Sequence, residues 1–397
     1  MPVPLASLLA GPIDNLVLLL GSFALLLIGA EVFTNSVEWL GHRLGVSESA
    51  TGSILAAVGT ALPETMIPVI AILSVQFGTG SQEAADSVGV GAILGAPFML
   101  STIAMFLIGA AVLYFGDRRI HGNMFHFNAD STERDISFFL VGYSLAFIAA
   151  LIPADMVVFG PVTGETVMML IAISLVALYI TYVYRSLKSG KLIEGGELED
   201  LMLGGLIEKD QSPVAAVGVS SNHSGDPSKL LVLTQSLFAL GIIIAGAHLF
   251  VSEVEFFSRE VLNIPTAVVA LLLAPLATEL PEKFNSLIWI SRDKDTLAIG
   301  NITGAMAFQG TLPVTLGIVF TSWNLTLVWG TTGFLNAFSA ILAIVSGGIL
   351  YLRARSVGRG NMSPRPFLIG GVFYALFIGV LLYHVFVLNV TAVGAGH

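Results

Sequence analysis

The 397-residue chain has no cysteine, which excludes a disulfide framework and a thiolate metal site. It is also poor in charge. Asp, Glu, Lys and Arg make up 11% of residues against 55% hydrophobic ones, far more apolar surface than a water-soluble core of this length hides. The charge present sums to −10, so a basic nucleic-acid footprint is excluded and no nucleic-acid partner is expected. No P-loop is present, which disfavours an ATP-driven pump, and no HExxH or CxxC pattern marks an intramembrane zinc enzyme. The N-terminal segment "MPVPLASLLAGPIDN" lacks a basic stretch ahead of its apolar run. That run is therefore expected to be a retained spanning helix and not a cleaved signal peptide.

What the chain does have is long apolar runs. Runs of about 17–25 residues, enough to cross about 30 Å of hydrocarbon, centre near residues 25, 60, 100, 145, 175, 240, 275, 310, 340 and 377. The runs near 60, 100, 275 and 310 contain Gly, Pro and polar residues and read as broken or tightly packed helices; the others are plain. With the N-terminus outside, fifteen of the seventeen Lys and Arg residues fall on the cytoplasmic side, Arg259 falls outside and Lys283 lies within a membrane segment. This asymmetry predicts ten transmembrane helices, both termini outside, in a multi-pass protein of the plasma membrane. A polar segment of about 40 residues, Ser189 to Lys229, contains the acidic "EGGELEDLMLGGLIEKD". Its acids lack the spacing of a calcium loop, and it reads as a solvated linker. It divides the chain into residues 1–188, a cytoplasmic linker 189–228, and residues 229–397.

The two halves resemble each other. "AVGTALPE" (57–64) aligns with "PLATELPE" (275–282) at a shift of 218 residues, pairing Thr60 with Thr278, Pro63 with Pro281 and Glu64 with Glu282. "IGAE" (28–31) aligns with "AGAH" (245–248) at a shift of 217, and "GAILGAPFMLST" (91–102) with "GNITGAMAFQGT" (300–311) at a shift of 209. Repeats of five helices, an odd number, insert in opposite senses, so the expected fold is an all-α polytopic membrane protein of two inverted five-helix repeats. Secondary transporters of this build place their ion site at the repeat interface near the bilayer midplane.

The repeated Pro-Glu pair has a chemical meaning. A carboxylate in hydrocarbon is costly unless it meets a cation, a partner or water, and a proline before it leaves the carbonyl four residues earlier without its helical donor. Freed carbonyls, threonine hydroxyls and carboxylates together make an oxygen-only cluster suited to hard cations such as Ca2+ and Na+. The bland alternative is that Pro only kinks the helix while Glu pairs with Lys283 or caps a half-helix; its appearance in two related copies weighs against that.

"GTALPE" and "ATELPE", followed by "VGAILGAPF" and "GNITGAMAFQ", resemble the paired alpha-repeats (57–102 and 275–311) of the cation/Ca2+ antiporter superfamily, which includes the sodium/calcium exchangers. The resemblance spans nearly the whole chain. It implies alternating access, with two short peripheral helices sliding past a core of eight that holds the ions. Carried over residue by residue, it makes Glu64 and Glu282 the principal Ca2+ ligands and gives Thr60 and Thr278 hydroxyl or carbonyl oxygens to offer. The family's Gly-Asn pair matches Gly300-Asn301 alone, because the first repeat has Gly91-Ala92. Where the exchangers have serine and then Asn or Asp, this chain has Ala96 and Leu100 in repeat one and Ala305 and Gln309 in repeat two. The serine of the first half-motif is replaced by Ala61 and Glu279. The resulting site is lopsided: Glu279, Glu282, Asn301 and Gln309 face a repeat whose two central helices offer one acid.

The implied function is a Ca2+ antiporter, not an enzyme, coupled to Na+, or alternatively to H+ because several side-chain oxygens are gone. A channel or ion-regulated sensor is the rival of another class. No cofactor is expected beyond the transported ions; the partners are inorganic cations and the lipid bilayer, and the sequence carries no sign of oligomeric state. Glu31 reads as a cation attractor or a local pair, and His248, its mate, as a packing residue or a titrating group. Trp289, Trp323 and Trp329 fall near span ends, where aromatic belts are expected.

Overall fold

The computed structural model describes residues 12–44, 61–78, 82, 85–189, 201–202, 227–264, 268–272, 279–357 and 360–388. The protein is mostly helical. Helix α1 (Pro12–Leu44) and α2 (Leu62–Gln76) are followed by a π-helical turn, Ala85–Gly89, that leads into α3 (Val90–Met99). A second π-helical turn, Leu100–Ala104, joins α3 to α4 (Met105–Phe115). Pro97 lies inside α3, and a proline removes one i→i−4 bond, which a π-turn accommodates. Helices α5 (Ala129–Ala150) and α6 (Gly164–Ser189) complete the first half. The second half holds α7 (Lys229–Phe256), α8 (Leu280–Ser291), α9 (Asp295–Gln309), α10 (Leu312–Phe320), α11 (Thr332–Val357) and α12 (Arg365–Phe386).

Among the described residues, seven stretches are long and apolar enough to cross a bilayer: Asn15–Phe33, Val90–Arg118, Gly164–Lys188, Lys229–Val254, Asp295–Phe320, Thr332–Ser356 and Arg365–Phe386. Helix α5 has 22 residues, but Asp130, Glu133, Arg134 and Asp135 crowd its start. Helices α2 and α8, with 15 and 12 residues, are shorter than a full span, as expected of helices that begin at a Pro-Glu break. The chain is an integral, multi-pass membrane protein. Among the described residues, two small antiparallel sheets lie in the connections: β1 (Phe125–Phe127) pairs with β4 (Gly360–Met362), and β2 (Val157–Phe159) with β3 (Val162–Thr163).

The core falls into two main parts. The larger is built chiefly from α3, α4, α5, α9, α11 and α12, with Phe98, Met99, Phe139, Tyr143, Met306 and Phe377 at its centre. The second joins α1 to α7 and α2 through Leu26, Ile67, Ile243 and Phe250. The pair set apart in this way is long, 33 and 28 residues, whereas two short peripheral helices were expected. Leu201, from the acidic segment, is buried with Trp39, Leu231 and Val232, and the Met202 N–H donates to Asn35 Oδ1 at 3.1 Å. That part of the segment is docked, not solvated. Trp323 is also not a belt residue: it is 3% exposed and its indole N–H donates to the Ala146 carbonyl. Trp329, 52% exposed, lies at the surface.

Candidate cation site

Helices α2 and α8 open alike. Each begins Leu-Pro-Glu, with proline in the first turn, where its missing N–H has no intrahelical partner to lose. The residues before them, Ala61 and Glu279, share the backbone angles φ −82° and ψ 3°. The acid of each tripeptide thus falls in a first turn, at the positive end of the helix dipole. Glu64 is buried, 5% exposed. Thr60, Thr278 and the side chain of Glu282 lie outside the described residues; the Glu282 backbone belongs to α8.

The other expected ligands are buried as well. Glu279 and Asn301 are fully buried and Gln309 is 1% exposed. Gln309 ends α9, where Gly310 and Thr311 separate it from α10; at a shift of 209 residues this break matches the π-turn that starts at Leu100. Neither Gln309 Oε1 nor Nε2 has a hydrogen-bond partner among the described residues. A buried amide left so costs about 1–3 kcal/mol, the mark of a group positioned for something other than stability. Helix α2 touches α3 and α10, α9 touches α3, and α8 packs on α9, so α3 links the helix that carries Glu64 to the one that carries Asn301 and Gln309.

Glu279 and Lys283 form an i,i+4 ion pair, Nζ to Oε2 2.8 Å, both side chains buried. Lys283 follows Glu282 in the chain, but the acid it neutralises is Glu279, a turn away on the same face. Glu31 and His248 are both exposed. Other groups went unmarked in the sequence. Asp135, fully buried on α5, accepts from the Thr303 hydroxyl of α9 at 3.0 Å and from Arg134 at 2.9 Å; a second acid directly after Glu133-Arg134 was its signal. Glu253, 1% exposed near the end of α7, was visible as an acid closing an apolar run. No group of three or more His, Cys, Asp or Glu side chains that could hold a metal occurs among the described residues.

Chemically, a buried carboxylate and two buried carboxamides offer hard oxygen donors in the interior of a membrane protein, the kind of groups that handle cations. The chain belongs to the sodium/calcium exchanger protein family, whose model matches residues 15–188 and 231–389. Among solved structures it is similar to an H+/Ca2+ exchanger, CAX, with a TM-score of 0.63 at 17% identity, over 98% of this chain and 92% of that one. It is also similar to the sodium-calcium exchanger NCX_Mj, with a TM-score of 0.56 at 17% identity, over 93% of this chain and 99% of that one. At such identity the likeness is one of fold. No curated protein sequence matches the chain significantly.

Proposed function

We propose that the protein is a secondary active antiporter that moves Ca2+ across the membrane in exchange for Na+ by alternating access. The observation that carries this reading, beside family membership, is the matched opening of α2 and α8: the same Leu-Pro-Glu, the same preceding backbone angles, and a buried Glu64. Glu64 and Glu282 are the principal Ca2+ ligands, Thr60 and Thr278 add oxygens, and Glu279, Asn301 and Gln309 shape the site from the second repeat. The fold in this reading is two inverted repeats of five helices, 1–188 and 229–397, around the 189–228 linker, with both termini outside a plasma membrane. Close pairing of α1 with α7, apart from the larger core, supports their moving as a unit against the rest.

H+ coupling is the second reading, and buried Ala61, Ala96 and Leu100 favour it. These apolar side chains stand where the family carries oxygen ligands, and each lost oxygen leaves fewer places for a Na+. Calcium flux into proteoliposomes, driven by a Na+ gradient alone and then by a pH gradient alone, chooses between the two. Glu64→Gln and Glu282→Gln should each abolish that flux in a folded, detergent-stable protein, since each loses charge toward a dehydrated divalent ion. Full transport by either folded variant sinks the site assignment, and Ca2+ passage without any opposing ion gradient favours a channel.

A further inference from the structure

The two halves of the site carry the same backbone but different charge. In the first, the Thr65 N–H and hydroxyl both donate to the Ala61 carbonyl, at 3.3 and 2.9 Å. At the shift of 218 residues the Lys283 N–H donates to the Glu279 carbonyl at 3.2 Å, while its ammonium donates to Glu279 Oε2 at 2.8 Å. An unchanged helical turn has thus exchanged a neutral Ala/Thr pair for a buried Glu/Lys pair.

The placement of the ammonium is against its own preference. A lysine in a membrane helix lowers its cost by snorkelling to the interface, and a cation is disfavoured at the positive end of a helix. Lys283, 5% exposed, instead reaches back to the N-terminus of α8, within one turn of Glu282. Among the described residues the only other buried Lys or Arg is Arg119, which is committed to Asp295 on 2.6 Å geometry. Glu279 is fully buried as well, so the pair sits in the interior of the bundle and not along its lipid face.

We propose that the Lys283 ammonium is a fixed cation of the transport site, holding Glu279 neutralised so that the mobile ions meet only the charge of Glu64 and Glu282. This rests on the antiporter reading and deepens it. Two carboxylates are compensated by one Ca2+ or by two monovalent ions, and uncompensated charge crosses a low-dielectric barrier only at high cost. The exchange therefore moves two monovalent ions per Ca2+ and carries no net charge. Without Lys283, Glu279 demands a further mobile cation.

The test is a null-flux measurement on the full-length protein in proteoliposomes, with membrane potential set by K+ and valinomycin. In wild type, the Ca2+ gradient at which net flux vanishes should follow the square of the monovalent gradient and ignore the imposed potential. Lys283→Met should make Ca2+ uptake depend on a monovalent cation on the Ca2+ side, because one Ca2+ alone leaves its −3 site uncompensated, while Glu279→Gln/Lys283→Met should remove that dependence. A cubic or potential-dependent wild type, or a Lys283→Met protein that exchanges as wild type does, overturns the proposal. Should Lys283→Met fail to fold, the charge-neutral double variant decides: the wild-type ratio supports the fixed cation and a changed ratio refutes it. Wild-type protein that moves Ca2+ with no coupling to Na+ or H+ sinks the antiporter reading itself, an outcome distinct from a coupled exchange with the wrong ratio.

Discussion

Gln309 separates stability from function at the level of one residue. Its buried amide has no hydrogen-bond partner among the described residues, and the first repeat carries Leu100 at the matching position, fully buried without penalty. Gln309→Leu is expected to raise the unfolding temperature, because it removes a desolvated amide costing about 1–3 kcal/mol. It should also raise the Ca2+ concentration for half-maximal flux about tenfold, the equivalent of ~1.4 kcal/mol of ligand interaction. Thermal unfolding and flux on one preparation check both; a stabilised variant with unchanged Ca2+ dependence removes Gln309 from the site. The acids and amides were legible in the sequence as candidates. Which atoms satisfy them was not: Lys283 follows Glu282 in the chain, yet helical geometry carries its side chain to Glu279.

At the scale of elements, α1 and α7 cross at a pair of glycines. A Cβ on Gly29 would lie 2.7 Å from Ile243 Cγ1, and one on Gly246 would lie 3.1 Å from Leu25 Cβ and from the Leu26 nitrogen. These glycines match at the shift of 217 residues, and small residues are what permit close backbone approach between membrane helices. Gly29→Val should push the helices apart, destabilise the protein by about 1–3 kcal/mol through overpacking, and slow transport more than it weakens Ca2+ binding if the pair moves as a unit. Isothermal binding set against flux rates measures that difference, and equal losses in both would deny the pair a part in the motion. The docked linker is a second contact on the same two helices. Leu201→Asp places a carboxylate among Trp39, Leu231 and Val232 and should speed proteolytic cutting within 189–228; an unchanged cutting rate would mean that the Leu201 contact does not restrain the linker.

Across the whole molecule, ties between the halves differ greatly in burial. Asp295, buried at the start of α9, accepts from buried Arg119 beyond the end of α4 and from the N–H of the exposed His126. Its mate at the shift of 209 residues, Asp86, accepts from the N–H and hydroxyl of Ser322 at 3.0 and 2.9 Å in an exposed setting. Arg119→Ala leaves a buried carboxylate unpaired and should cost about 3–5 kcal/mol, whereas Ser322→Ala at the exposed tie should cost on the order of 1 kcal/mol. Thermal unfolding distinguishes them, and equal losses would contradict this ranking by burial. The sequence alone determined that the chain enters a membrane, because composition and run length set the cost of leaving it in water. It also determined the doubled Leu-Pro-Glu motif and hence where helices start, since proline and the first-turn acid act within a few residues of themselves. Only the tertiary structure decided that the Glu279–Lys283 pair is buried, that Gln309 has no hydrogen-bond partner among the described residues, that Trp323 is core and that Leu201 is docked. Each of these depends on which groups share a buried volume once segments far apart in the chain are packed together, and local spacing carries no record of that packing.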